Sequence, residues 1–252
     1  MQDFLHTLSD SNAYLIDGAM GSELYVRGFF INKCYDELNI KSPDVVLAIH
    51  KEYVRAGAEI LETNTYGANR LKLSEFGLED SLREVNVRAA EIAKEAAGDS
   101  CWVAGAMGPL GIRIEPYGPT SLDEAQEIFR EQADALTAGG VDLFLLETFS
   151  NLAEIEQAIL AIREASSLPV IAQMTINQDG RTAFGDSPAH IARSLEKMGA
   201  DVIGLNCSVG PAIMLDAIEE MAGATNRRLS CLPNAGLPRE VHGRKIYMAS
   251  PD

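Results

Sequence analysis

Histidine and tryptophan are scarce in this chain of 252 residues, which contains four histidines, one tryptophan and 6% aromatic residues. Basic residues are also few, since 21 lysines and arginines stand against 37 aspartates and glutamates, for a formal net charge of −16. Such a charge disfavours phosphate backbones and anionic membrane surfaces as partners. We therefore expect neither nucleic acid nor a membrane among the partners of this protein.

Long apolar runs and secretion signals are missing as well. No uninterrupted apolar stretch approaches the roughly 18 residues that a spanning helix needs. The first residues, Met-Gln-Asp-Phe-Leu-His, lack the basic and apolar regions of a signal peptide. Four widely spaced cysteines without a CxxC pair do not suggest a disulfide scaffold. These features predict a soluble, cytoplasmic protein.

Short apolar runs alternate with amphipathic segments along the whole chain, and each run is predicted to be a strand of a buried parallel sheet. Helix start signals such as Ser121-Leu-Asp-Glu124 and Ser187-Pro188 lie between the runs. Three joints repeat one pattern, in which a glycine ends a helix and an acid precedes the next strand. The joints are Gly57-Ala-Glu-Ile60, Gly140-Val-Asp-Leu143 and Gly199-Ala-Asp-Val202. The seven predicted strands are Tyr14–Met20, Glu59–Thr65, Trp102–Gly108, Leu143–Phe149, Val170–Ile176, Val202–Ser208 and Arg228–Asn234.

This repetition favours an α/β fold of the (β/α)8 TIM-barrel type. A doubly wound sheet is the alternative, but Asp17-Gly-Ala-Met-Gly21 lacks the GxGxxG spacing usual after its first strand. A closed barrel needs eight strands, and residues 235–252, after the seventh, are predicted to be a loop. We therefore expect one barrel over residues 1–252 that is C-terminally incomplete and lacks its eighth strand.

The predicted strand ends carry the residues with chemistry, because the active site of a β/α barrel lies at the carboxyl ends of its strands. Asp17 and Glu147 follow apolar residues, so both are expected to be partly buried and to need a cation or hydrogen-bond donors. Two functions remain open for them, namely holding an ammonium group or accepting backbone N–H groups as caps. The N–H groups of Gly18, Ala19 and Met20 are candidates for holding a carboxylate.

Cys207 ends the sixth predicted strand, where it is either a small buried apolar residue or a metal ligand or nucleophile. Histidine is absent from the predicted strand ends, because the four histidines fall on helices or loops. That distribution argues against Ser-His and Cys-His nucleophilic sites.

Six motifs follow one another at the predicted strand ends. They are Asp17-Gly-Ala-Met-Gly, Glu62-Thr-Asn-Thr, Gly105-Ala-Met-Gly-Pro, Leu146-Glu-Thr-Phe149, Gly204-Leu-Asn-Cys207 and Pro233-Asn-Ala-Gly-Leu-Pro238. In this order they resemble the homocysteine S-methyltransferase domain, which is the N-terminal module of cobalamin-dependent methionine synthase and also occurs in betaine–homocysteine methyltransferases. The resemblance covers essentially the whole chain and is closest to bacterial fusions with a methylenetetrahydrofolate reductase.

The resemblance implies a zinc-dependent transfer of a methyl group to the homocysteine thiol, forming methionine. Three cysteine thiolates would bind the zinc, and Cys207 matches the first. The other two are expected beyond the end of this chain, because it contains no adjacent cysteine pair; alone it is expected to be inactive. Asp17 and Glu147 match the acids that hold the homocysteine ammonium, and Asn234 matches an amide that can occupy the open zinc position. Coordination to zinc deprotonates a thiol, which makes a general base unnecessary.

The methyl donor cannot be read from the sequence, and methyltetrahydrofolate and methylcobalamin, carried by a donor module, both remain open. Two other functions also stay open. One is a metal-free barrel that binds homocysteine or a related amino acid without catalysis. The other is a lyase or aldolase, which would normally need a rim lysine or a metal-binding acid cluster. Lys72, Lys94, Lys197 and Lys245 are all predicted on helices or loops, which counts against this second alternative.

Overall fold

The computed structural model describes residues 4–30 and 32–235, together with the backbone of residues 238–241 and 244–247. Across these residues six parallel strands alternate with helices, so the fold is α/β. A short antiparallel pair follows near the C-terminus. The strands are β1 (Ile60–Glu62), β2 (Trp102–Met107), β3 (Leu143–Phe149), β4 (Val170–Met174), β5 (Val202–Asn206), β6 (Arg228–Leu232), β7 (Pro238–Val241) and β8 (Arg244–Tyr247).

The helices of the described residues fall mainly between these strands, and a 3-10 turn at Glu79–Ser81 precedes one of them. They are α1 (Phe4–Thr7), α2 (Met20–Val26), α3 (Leu38–Lys41), α4 (Pro43–Ala56), α5 (Arg70–Ser74), α6 (Leu82–Ala97), α7 (Leu122–Gly139), α8 (Leu152–Ala165), α9 (Pro188–Lys197) and α10 (Pro211–Ala222).

Strand order in the sheet follows the chain, β1-β2-β3-β4-β5-β6. In the parallel register Ala104 lies opposite Leu143, and Gly204 lies between Gln173 and Ser230. The predicted α/β fold of parallel strands is confirmed, and six of the seven predicted strands are present, β3 with the predicted bounds.

Two predictions about the ends of the chain are wrong. Tyr14–Met20 is not a strand, because only Ile16 forms a parallel bridge, to Ile60. The chain turns into α2 at Met20, which leaves no length for further pairing. The predicted C-terminal loop contains the antiparallel strands β7 and β8, whose pairing depends on a partner segment rather than on local apolar periodicity.

Helix ends form where the sequence signals lie. Ser121 and Ser187 each accept, through the side-chain hydroxyl, the N–H group three residues further on, at 3.1 and 3.3 Å. In the three repeated joints, Gly57, Gly140 and Gly199 have φ angles of 102°, 85° and 87°. Only glycine adopts these left-handed angles at low cost, so the predicted helix stops are confirmed.

The chain divides into two compact units. The first contains residues 1–146 and 157–170, and the second contains residues 147–156 and 171–252. In the first unit, α7 buries Phe129, Ala133 and Leu136 along one face, and every residue of β2 is buried. In the second unit, every residue of β5 is buried. Within the described part of the chain, no helix is long and apolar enough to cross a membrane.

Candidate functional site

In the first unit, the segment after Ile16 holds four of the predicted binding residues. Asp17 is half-buried and accepts, through Oδ2, the N–H group of Glu62 at the end of β1, at 3.1 Å. Gly18 and Ala19 are exposed and lead into α2, which begins at Met20. The carboxylate therefore lies beside the end of β1, next to accessible backbone.

Tyr53 of α4 packs against this segment. A Cβ atom on Gly18 would lie 2.9 Å from Cε1 and the hydroxyl oxygen of Tyr53, so a larger residue there would have to displace the Tyr53 side chain. The Tyr53 hydroxyl also donates a hydrogen bond to the carbonyl of Ala19, at 3.4 Å. Burial raises the pKa of Tyr53 to about 12, and the charges of Glu23 and Asp17 add to that effect. Tyr53 is thus a neutral phenol that holds the backbone after Asp17.

In the second unit, three residues have strained backbone near the carboxyl ends of β3 and β5. Thr148 in β3 has a φ of 63°, and Cys207 and Ser208, just after β5, have φ angles of 59° and 62°. Among the described residues, no other non-glycine residue has a positive φ. Such angles cost on the order of 1–3 kcal/mol each and persist where the surroundings hold one geometry, often at functional sites. The strain marks this region as the candidate site.

Asn206 connects the strained residues through its side-chain amide. Its Oδ1 accepts the N–H group of Thr148 at 2.7 Å, and its Nδ2 donates to the Thr148 hydroxyl at 2.9 Å. The same Nδ2 lies 3.5 Å from the sulfur of Cys207, to which it also donates. Asn206 is only 2% exposed. One buried amide therefore links the end of β3 to the thiol that follows β5.

Cys207 is half-buried, and its own N–H group donates to the carbonyl of Leu232 in β6, at 3.0 Å. Burial raises the pKa of this thiol, the hydrogen bond with Thr148 lowers it, and the negative charge of Glu147 raises it. Glu147 is itself half-buried, as predicted, and it directly precedes Thr148, which Asn206 links to Cys207. Its carboxylate is therefore within electrostatic range of the sulfur of Cys207.

Two further groups complete this edge of the second unit. The Thr175 hydroxyl, which follows β4, donates to the Ser208 hydroxyl at 2.6 Å. The N–H group of Asn234 donates to the carbonyl of Val209 at 3.0 Å, so Asn234 belongs to the same edge. Polar groups from the ends of β3, β4, β5 and β6 therefore meet within one unit.

The donor set was tested against the implied zinc ion. A structural or catalytic zinc site needs three or four ligands from cysteine, histidine or carboxylates. Among the described residues, no group of three such side chains could hold a metal ion. The other three cysteines do not join Cys207 as ligands, because Cys34 and Cys101 are buried elsewhere and Cys231 is exposed. The described residues alone therefore do not fit a closed zinc site.

The sequence predictions placed Glu147, Cys207 and Asn234 at the correct edge of the sheet but missed Thr148, Asn206 and Thr175 as contributors. A signal was present, since Thr148 and Asn206 directly adjoin the predicted residues Glu147 and Cys207. Positive φ angles at threonine and cysteine have no sequence signature. Asp17 lies in the first unit and Glu147 in the second, and their joint binding of one ammonium group stays a prediction.

Comparison with known sequences identifies a family. A profile of the family "homocysteine S-methyltransferase" matches residues 14–252. The methionine synthase of Mycobacterium leprae (strain TN) is 32% identical over 271 residues, covering 99% of this chain. The methionine synthase of Mycobacterium tuberculosis (strain ATCC 25618 / H37Rv) is 32% identical over 253 residues, covering 94%. The chain spans only 22% and 21% of the lengths of these two relatives.

Solved structures share the fold. The oxidized form of the homocysteine methyltransferase MmuM from Escherichia coli superposes with a TM-score of 0.82 at 24% identity, covering 92% of this chain and 86% of that one. The metallated form of the same enzyme gives the same TM-score, with 87% of that chain covered. At this identity the likeness shows the fold alone.

Proposed function

Because this chain belongs to the homocysteine S-methyltransferase family, we propose that it binds homocysteine and takes part in methyl transfer to the homocysteine thiol, forming methionine. The observation that carries the proposal is the strained turn in which Asn206 holds Thr148 and Cys207 beside Glu147. A family-matched thiol, a half-buried acid and a rigid polar frame are the features that an amino-acid thiol substrate requires at one edge of a sheet.

The binding roles follow from the chemistry of each group. Glu147 is proposed to accept hydrogen bonds from the homocysteine ammonium, because it is a half-buried carboxylate near Cys207. Asp17 is also proposed to accept a hydrogen bond from the ammonium group, because it is the first residue of the motif Asp17-Gly-Ala-Met-Gly that matches the family. The backbone of Gly18, Ala19 and Met20 is proposed to bind the substrate carboxylate, since the first two are exposed beside that acid.

The finer features of the family belong to the same proposal. A free alkyl thiol is mostly protonated at neutral pH, and a bound zinc ion would supply the missing activation by favouring the thiolate form of a sulfur ligand. Cys207 would be one ligand of that zinc ion, further thiolates would have to come from outside this chain, and Asn234 would lie near the open position. A complete (β/α)8 barrel and a module that carries methyltetrahydrofolate or methylcobalamin complete the proposed assembly.

A binding experiment tests the ammonium assignment. Glu147→Gln and Asp17→Asn should each weaken the binding of L-homocysteine by about 1.5–3 kcal/mol, the range for hydrogen bonds to charged groups. Isothermal calorimetry gives the affinities, with the exposed acids Glu219→Gln and Asp99→Asn as matched controls in the same two units.

An analogue makes this test specific for the ammonium. The compound 4-sulfanylbutanoate lacks the amino group of homocysteine but keeps its thiol and carboxylate. If Glu147 binds the ammonium, the preference of the wild type for homocysteine over this analogue should shrink in Glu147→Gln. Equal preferences in the wild type and both site variants would refute the assignment.

Metal content separates the methyltransferase from a metal-free amino-acid-binding barrel. In a protein that includes the remaining thiolates, zinc bound by the wild type should be lost in Cys207→Ser and retained in Cys231→Ser, because Cys231 is exposed on β6. Methionine should form from homocysteine with methylcobalamin or methyltetrahydrofolate as donor. Homocysteine binding without zinc or methionine formation would favour the non-catalytic binder instead.

A further inference from the structure

We propose that Asn206 is a positioning residue for methyl transfer, an inference that rests on the proposed function and extends it. Its amide fixes the backbone next to Glu147 and, at the same time, the sulfur of Cys207. The proposed contacts to the ammonium and to the thiol end of homocysteine would therefore share one structural support.

The side-chain amide of Asn206 is suited to this role because it both donates and accepts hydrogen bonds. Its oxygen accepts the backbone N–H of Thr148 and its nitrogen serves the Thr148 hydroxyl and the sulfur of Cys207. These partners lie on two strands, and Thr148 is 58 residues away in sequence. Because Asn206 is buried, water cannot replace the lost bonds without opening the site.

Backbone strain makes the geometry dependent on these bonds. Thr148 and Cys207 both hold φ angles near +60°, which β-branched and ordinary side chains avoid. Strained backbone relaxes unless its surroundings over-determine it. Loss of the Asn206 amide should let the turns relax, which would shift both Glu147, the neighbour of Thr148, and the sulfur of Cys207.

A second buried hydrogen bond in the same unit, between Gln173 in β4 and Ser230 in β6, provides a matched control. Gln173 Nε2 donates to the Ser230 hydroxyl at 3.1 Å, and both side chains are buried. Neither residue has a positive φ. Ser230→Ala therefore removes a buried hydrogen bond of similar kind without touching the strained turns, so it reports the cost of a purely structural loss.

The test compares five variants of a purified longer protein that includes this chain and the remaining thiolates: Asn206→Ala, Asn206→Asp, Thr148→Ser, Thr148→Val and Ser230→Ala. The measurements are Tm, the Kd for L-homocysteine, and kcat and KM for methionine formation with methylcobalamin or methyltetrahydrofolate. Asn206→Ala should lower kcat/KM by about 10–100-fold, the range seen when the supporting partners of a site are removed. Ser230→Ala should lower Tm but leave kcat/KM within about twofold of the wild type, as expected for a hydrogen bond outside the site.

The conservative variants separate positioning from folding. Thr148→Ser keeps the hydroxyl that Asn206 contacts and should retain activity. The isosteric Thr148→Val should lose activity, with a fall in Tm similar to that of Ser230→Ala. Asn206→Asp keeps an acceptor for the Thr148 N–H but cannot donate to sulfur, so its kcat/KM should fall between those of the wild type and Asn206→Ala. If Asn206→Ala does not fold, the activities of Thr148→Ser, Thr148→Val and Asn206→Asp still test whether Asn206 positions the site.

The outcomes distinguish this inference from the proposed function. An active wild type with kcat/KM unchanged in Asn206→Ala, or equal in Thr148→Ser and Thr148→Val, would overturn the role of Asn206 alone. A wild type that neither binds homocysteine nor forms methionine would overturn the proposed function, and the role of Asn206 with it.

Discussion

Replacing His50 should change how the stability of the first unit depends on pH. His50 lies in α4 with an exposed fraction of 0%, and both of its ring nitrogens are buried without a hydrogen-bond partner in the described part of the chain. Burial lowers its pKa from 6.5 to about 4. His50 is therefore a neutral imidazole in the folded protein at pH values where the unfolded chain already binds a proton.

The sign of the effect follows from proton uptake. Between pH 6.5 and 4 the unfolded state binds more protons at His50 than the folded state, so the free energy of unfolding falls as the pH is lowered. Above pH 6.5 the residue contributes no pH dependence. The full difference in pKa corresponds to about 3 kcal/mol, and between pH 7 and pH 5 the loss is about 2 kcal/mol.

His50→Leu removes the titrating group together with its two ring nitrogens that have no hydrogen-bond partner. We expect urea unfolding at pH 7 to show equal or greater stability than in the wild type, because an apolar side chain of similar size replaces an unsatisfied one. Between pH 7 and pH 5 the variant should lose about 2 kcal/mol less than the wild type.

The single tryptophan offers a local probe for this measurement. Trp102 is 8% exposed, lies on β2 in the same unit as His50, and packs edge-on against Phe4 and Tyr14. His6→Gln is the control, because His6 is exposed. If His50→Leu loses as much stability as the wild type and the control between pH 7 and pH 5, the argument from burial is refuted.

Two further substitutions test packing and the repeated joints. Gly204→Ala should destabilise the second unit by about 3 kcal/mol or more, since its Cβ would lie 2.0 Å from the carbonyl oxygen of Ser230. Gly223→Ala is the control in the same urea titration and should be tolerated, because its Cβ would lie 3.6 Å from the nearest atom, the carbonyl oxygen of Glu220. Asp142→Ala should cost about 1–3 kcal/mol, because the buried N–H of Val103 then loses its acceptor at 2.8 Å. Unchanged unfolding midpoints for Gly204→Ala or Asp142→Ala would contradict these contacts.

Local signals in the sequence predicted elements whose formation depends mainly on nearby residues. Ser121 and Ser187 cap helices within three residues of themselves, and Gly57, Gly140 and Gly199 stop helices through their own φ angles. Buried parallel strands such as β3 are apolar on both faces, so continuous apolar runs in the sequence predicted them as well. The acid of one joint, Asp142, was predicted to mark a short loop, but its hydrogen bond to Val103 depends on the neighbouring strand.

Pairing between segments determined which residues near the two ends of the chain form strands. The apolar residues of Tyr14–Met20 satisfied the strand pattern, yet a strand forms only as far as a neighbour pairs with it, and here pairing is limited to Ile16 with Ile60. The reverse holds for β7 and β8, which pair with each other although their sequence lacks a continuous apolar run. Periodicity measures burial, and it does not report which segment lies alongside.

The sequence alone determined the parallel α/β arrangement, several helix boundaries and the resemblance that the family profile confirms. It also placed Glu147 and Cys207 at the carboxyl ends of two strands. Only the tertiary structure revealed the frame around these residues. The Asn206 amide bridges strands 58 residues apart, and the left-handed angles of Thr148 and Cys207 are unfavourable for the isolated chain. These angles persist because contacts with distant residues together outweigh the preference of threonine and cysteine for negative φ. Local sequence patterns report that preference but not the distant contacts.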